Sequence, residues 1–241
     1  MNFLVLLLML WVEKFSAGRR RIQQDGLWLQ QLAKVELSHQ GAPWIALALL
    51  VVLPLLVLGG LLLILESVAY GWLALPVHLL VLVYSLGRGD VLAALGPFRD
   101  AWRRGDDQAA LHVAERDLGL EADSEAELLV RVQGYELWQA YQGFFAVIFW
   151  YALLGPLVPL AYRLLALTTE QATQADLAER AGQLRHALDW LPVRVLAASF
   201  ALVGNFAAVS RAVLHDLLSW ELAAQQLLVN AGRAASELPE P

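Results

Sequence analysis

Two uncharged runs stand almost back to back in this chain, Trp44 to Leu65 and Ser67 to Leu86, with Glu66 alone between them. A helix rises about 1.5 Å per residue, so about twenty apolar residues cross the hydrocarbon core of a bilayer. The first run has 22 residues dominated by Leu, Val, Ile and Ala; the second has 20, with His78 its only acidic or basic side chain. A soluble core accepts one helix that is apolar all round, but rarely two in succession. The pattern predicts an all-α, multi-pass integral membrane protein, 1–241 forming a single membrane domain that opens with a transmembrane hairpin over 44–86.

A third apolar stretch, Phe144 to Tyr162, has 19 uncharged residues; Arg163 follows, with apolar positions continuing to Leu167. Gly155-Pro156 and Pro159 interrupt it. Proline removes a backbone donor and clashes with the preceding turn, so the helix over 144–167 should break or kink. One architecture is a single kinked span. The other is a re-entrant hairpin with halves about 15 Å long, tolerated where protein covers the broken backbone.

The polar positions divide the remainder. In 13–43, Trp28, Leu32 and Val35 are spaced for an amphipathic helix on the membrane surface, ended by Gly41-Ala42-Pro43. Phe3 to Val12 imitates a signal peptide, but its charges, Lys14 and Arg19 to Arg21, follow the apolar stretch instead of preceding it, which favours a retained helix that lies in the interface or packs against the bundle. The segment 87–143 is punctuated by glycines into short helices, with Asp106-Asp107 and Asp123 or Ser124 as N-caps. In 168–241 the spacing predicts a solvated polar helix to Ala187 and an apolar helix from Ala187 to Phe206. An amphipathic C-terminal helix follows over 210–230. The apolar helix carries Asp189, Pro192, Arg194 and Asn205, and either crosses the membrane or packs along the bundle.

Composition agrees with a membrane class: 59% of residues are hydrophobic and 17% charged. The net charge is −6 and no basic block suggests nucleic acid. Cysteine is absent, which excludes disulfides, thiolate catalysis and Cys-based metal sites. Five Lys/Arg in 13–43 and six in 87–143, against none between the first two runs, place both polar segments in the cytoplasm.

Few residues offer chemistry. Arg163, after Tyr162 at the end of an apolar helix, is either an interfacial snorkeler or a buried partner for an anion. Arg194 poses the same choice, with Asp189 five residues before it. Glu13 and Glu66 are candidate acidic partners. The five histidines make no i, i+4 pair, and no phosphate-binding loop or nucleophile elbow is present, so no metal and no cofactor are expected.

The order of these pieces carries a resemblance. Glu13-Lys14-Phe15 ends the apolar N-terminus, and the hydrophobic hairpin follows. Glu115-Arg116-Asp117 lies in the polar segment. Then come Phe149-Trp150, Gly155-Pro156, Tyr162-Arg163, the run Leu188 to Arg194, and Gly204-Asn205. Together they resemble the AmpE group, inner-membrane proteins linked to the regulation of inducible β-lactamase, a branch of the superfamily containing the cobinamide-phosphate synthases (CbiB/CobD). Those enzymes carry an Asp-Gly where this chain has Gln142-Gly143. They have Asn-Thr-Leu-Asp where it has Ala166 to Thr169, and paired Asp where Arg185 and His186 stand. An ATP-driven ligase needs carboxylates for Mg²⁺ and phosphates. The resemblance therefore implies a non-catalytic regulatory protein of the bacterial inner membrane. Its arginine and aromatic frame, Arg163, Arg194, Tyr162, Glu13, Asp189 and Arg116, would hold an anionic small molecule, and 87–143 would meet a cytoplasmic protein partner. The alternatives are a surviving amide ligase and a membrane docking partner whose segment 87–143 holds a soluble enzyme. If the motifs converge on one face, a straight 144–167 span would strand Arg163 across the membrane from Arg116, and a re-entrant hairpin would return it.

Overall fold

The computed structural model describes residues 5–9, 25–39, 41–66, 72–87, 95–220 and 222–236. Among them the secondary structure is helical throughout, with no strand. The helices are α1 (Gly26–Ser38); α2, composed of Pro43–Leu47, a π-turn at Ala48–Val52 and Leu53–Glu66; and α3 (Ala74–Ser85). Next come α4 (Gly96–Arg103), α5 (Asp107–Val113) and α6 (Glu125–Ala140), which runs through a π-turn at Tyr141–Phe145 into α7 (Ala146–Leu154). Then follow α8 (Leu157–Gln171), α9 (Ala175–Val203), α10 (Phe206–Val213) and α11 (Ala224–Ala235). Three helices among the described residues are long and apolar enough to cross a membrane: Pro43–Leu65, Glu125–Leu154 and Ala175–Val203.

Among the described residues, four prolines fall where they cost least. Pro43, Pro76, Pro97 and Pro159 all sit in the first turn of a helix, where the missing N–H would have no intrahelical partner. Pro54 lies inside α2, directly after the π-turn at Ala48–Val52, where a widened turn makes room for its ring. Pro192 lies inside α9 and cannot donate to the Leu188 carbonyl one turn back; the indole Nε1 of Trp150 donates to that carbonyl instead, at 3.2 Å. The Asp106 carboxylate accepts from the Ala109 amide and Ser124 from that of Glu127, so both expected caps form.

Several boundaries differ from the hydropathy pattern: the amphipathic helix expected over 210–230 is instead two, α10 (Phe206–Val213) and α11 (Ala224–Ala235), with turns at 214–218. The apolar helix entering at Phe144 does not start there: α6 and α7 form one helix, Glu125–Leu154, because Gln142-Gly143 only widens it into a π-turn. Likewise the polar stretch before Ala187 and the apolar stretch after it form one 29-residue helix, α9. Composition changes along it, and although Pro192 removes one hydrogen bond from the ladder the helix stays continuous. The break expected at Gly155-Pro156 is present. Gly155 has φ +74°, α7 ends at Leu154, α8 starts at Leu157, and α7 and α8 pack on each other.

By its contacts the chain divides into two compact units, Met1–Leu86 with Phe144–Asp189 and Gly87–Gly143 with Trp190–Pro241. In the first, Trp28 and Leu32 of α1 pack with Leu47 and Leu50 of α2, Leu164 of α8 and Leu177 of α9. A second cluster joins Leu58 and Leu62 of α2 to Ala74 and Val81 of α3. Outside these contacts α2 leaves Leu56, Val57, Leu63 and Ile64 exposed, an apolar flank suited to lipid and too continuous for a water-facing surface. In the second unit, Phe98 and Ala101 of α4 meet Ala110 of α5 and Leu128 and Val132 of α6. There α11 packs on α6 and α10: a Cβ on Gly134 would approach Val229 to 3.2 Å, and one on Gly204 would lie 2.7 Å from the Ala235 carbonyl.

Candidate functional site

The first unit contains an ionic frame built from four elements. Asp25, just ahead of α1, is buried; its carboxylate accepts from the Tyr84 hydroxyl at 3.0 Å and from Arg163 Nη2 at 3.4 Å. Tyr84 ends α3 and Arg163 lies in α8, so this one carboxylate ties three segments distant in sequence. Both partners of the Asp25–Arg163 pair are shielded, with side-chain exposures of 2% and 8%. Removing one member of such a pair leaves an uncompensated charge, at a cost of about 3–5 kcal/mol.

Beside it, the buried Tyr162 hydroxyl donates to Asp189 Oδ1 at 2.8 Å, joining α8 to α9. The guanidinium of Arg185, one helical turn before Asp189, lies 5.4 Å from the centre of the Tyr162 ring. Its Nη1 is 3.8 Å from Glu170 Oε1, beyond hydrogen-bond length. Two donors of the frame, Arg163 Nε and Arg185 Nε, find no acceptor among the described residues. A buried donor without an acceptor costs about 1–3 kcal/mol.

A second carboxylate fastens the same unit mechanically. Glu36 of α1 is buried and accepts from the Thr173 amide at 2.8 Å, the Thr173 hydroxyl at 2.9 Å and the Gln174 amide at 3.0 Å; Gln174 returns a bond to the Glu36 carbonyl. These contacts hold the turn between α8 and α9 against α1, and with it the start of the helix carrying Arg185 and Asp189. Deeper among the apolar helices, His78 Nδ1 and the Tyr151 hydroxyl lie 2.9 Å apart, joining α3 to α7.

The residues expected from the sequence fall in different places. Tyr162, Arg163 and Asp189 come together in the first unit. Arg194 belongs to the second, where its guanidinium donates to the carbonyls of Trp190, Leu217 and Ser219 and stacks 4.0 Å from the Trp190 ring centre. Arg116 is in the second unit too, in the π-turn Ala114–Leu118, exposed and paired with both carboxylate oxygens of Asp117 at 2.7 and 2.8 Å. That pairing holds the Asp117 carboxyl below its usual range. Glu13 and the side chain of Glu66 lie outside the described residues. The sequence reading missed Asp25, Tyr84, Glu36 and Glu170 and took Arg185 only as a departure from the enzymes; the four-residue spacing of Arg185 and Asp189 was the available signal.

Residues 1–234 match the family model described as "Regulatory signalling modulator protein AmpE". No curated protein and no solved structure matches the chain. The match concerns the AmpE family itself, and kinship with the cobinamide-phosphate synthases stays an expectation from motifs.

Proposed function

We propose that this chain, which belongs to the AmpE family of regulatory signalling modulators, acts as a multi-pass regulatory protein of the bacterial inner membrane, in the control of inducible β-lactamase or of signalling by cell-wall fragments. Its work is recognition, without a reaction of its own. One observation carries this reading: Arg163 and its partners hold formal charges inside a unit whose α2 flank is apolar outward. Ionisable groups in such surroundings are expensive, and their usual justification is a ligand or a switch.

Arg163 would contact an anionic small molecule directly, with Tyr162 and Asp189 positioning the helices around it. The segment 87–143, with its exposed Arg116–Asp117 pair, would present the result to a cytoplasmic protein.

The test is genetic. The chain is expressed in a strain that lacks its own copy and carries an inducible β-lactamase, and basal and induced activity are measured. A changed induction ratio with the wild-type chain is expected; an unchanged ratio from a well-inserted protein contradicts the proposal. Rescue of cobalamin-dependent growth in a strain lacking cobinamide-phosphate synthase would replace it with the ligase alternative.

A further inference from the structure

We propose that Arg163 and Arg185 together form an oxyanion site, taking a phosphate or carboxylate group, with the side chain of Glu170 as the internal carboxylate that the ligand displaces. This deepens the reading of the frame as an anionic-ligand site and rests on it. Arg185 is a residue that the motifs did not nominate.

The geometry points to a pair. Arg163 on α8 and Arg185 on α9 are both shielded, with side-chain exposures of 8% and 13%, and each keeps an Nε–H that meets no acceptor among the described residues. Guanidinium groups present their donors in a planar fork matched to the oxygens of carboxylate and phosphate, so two partly filled forks on neighbouring helices, each with its Nε–H still unmet among the described residues, offer donors to an oxyanion. The charges of the two arginines act on one another, Glu170 acts on both, and Asp189 acts on Arg185 as well. An anion placed there relieves the repulsion between them.

Glu170 has the features of a stand-in. Its side chain is 52% exposed, against 8% for Arg163 and 13% for Arg185, and its contact to Arg185 is 3.8 Å, too long for a hydrogen bond. Asp25 and Asp189 differ: both are buried and hydrogen-bonded to tyrosine hydroxyls. Swinging Glu170 into water and admitting a singly charged oxyanion leaves the charge of the frame unchanged. It exchanges one long contact for the charge-assisted hydrogen bonds that guanidinium groups make to an oxyanion.

The experiment uses the full chain in phosphatidylcholine nanodiscs, with inorganic phosphate as the titrant and thermal unfolding as the readout. Discs containing phosphatidylglycerol, without added phosphate, form the second arm. A saturable rise in the unfolding midpoint is expected from one source. A rise with phosphate in both disc types identifies a soluble ligand; a rise with phosphatidylglycerol alone identifies a lipid headgroup. Arg185→Gln should weaken the response at least tenfold, and Glu170→Gln should tighten it at least threefold. Arg163→Gln is informative only if it folds, so the other two variants decide. Absence of any response in both arms, an Arg185→Gln response equal to wild type, or a Glu170→Gln response no tighter than wild type overturns the proposal. If these fail while Arg163→Gln still abolishes β-lactamase regulation, the frame reading stands and the arginine-pair site falls.

Discussion

Arg163 and Arg194 are both shielded arginines on long apolar segments, yet each is satisfied by a different kind of partner. Arg163 faces a buried carboxylate through a single contact at 3.4 Å and keeps a donor in hand. Arg194 gives its donors to three backbone carbonyls and lays its plane on Trp190. The first arrangement is loaded with formal charge and incompletely satisfied among the described residues. The second uses a guanidinium as a staple: it gathers the carbonyls of Leu217 and Ser219, in the irregular stretch after α10, which have no helical partner.

The contrast can be broken from either side. The largest effect is expected from Asp25→Ala, which strands the Arg163 charge and should cost about 3–5 kcal/mol. Adding Arg163→Met to it should recover most of that loss, because a buried pair replaced whole by apolar groups is close to neutral. Unfolding midpoints of the single and double variants check this. Next comes Arg194→Met. It should cost about 2 kcal/mol and raise amide exchange around 214–220, leaving exchange around Asp25 and Tyr84 as in wild type. Smallest is Tyr162→Phe, which removes one hydrogen bond to Asp189 and should cost about 1 kcal/mol in the same midpoint assay.

Much of the architecture was legible before the structure. The uncharged composition of α2 announced a membrane-crossing helix, and Asp106 and Ser124 were readable as caps because their side chains compete for local amides. The break at Gly155-Pro156 was legible too, since proline and a positive-φ glycine leave the backbone no helical continuation. Helix extent was not. Glu125–Leu154 and Ala175–Val203 pass straight through changes of polarity, because polarity selects what a helix face touches and does not by itself end the ladder.

The buried frame was half visible for a related reason. Tyr162-Arg163 and Asp189 stand out against apolar neighbours. Asp25 sits among Gln23, Gln24 and Gly26, where a buried carboxylate looks the same as a solvated one. Glu36 is similar: its role depends on the turn at Thr173 and Gln174, 137 and 138 residues away. The side of the membrane reached by that turn is open to direct test. Thr169→Cys should resist a membrane-impermeant thiol reagent in intact cells if α7 and α8 form a re-entrant hairpin; strong labelling from the periplasm would favour a complete crossing.

The central claim is that regulation passes through the Arg163 frame and only structure passes through Arg194. Its most direct test compares Arg163→Gln with Arg194→Gln in the β-lactamase induction assay, after both are shown to be inserted at wild-type levels. The account predicts loss of regulation in the first and retention in the second. A wild-type induction ratio from Arg163→Gln would contradict it.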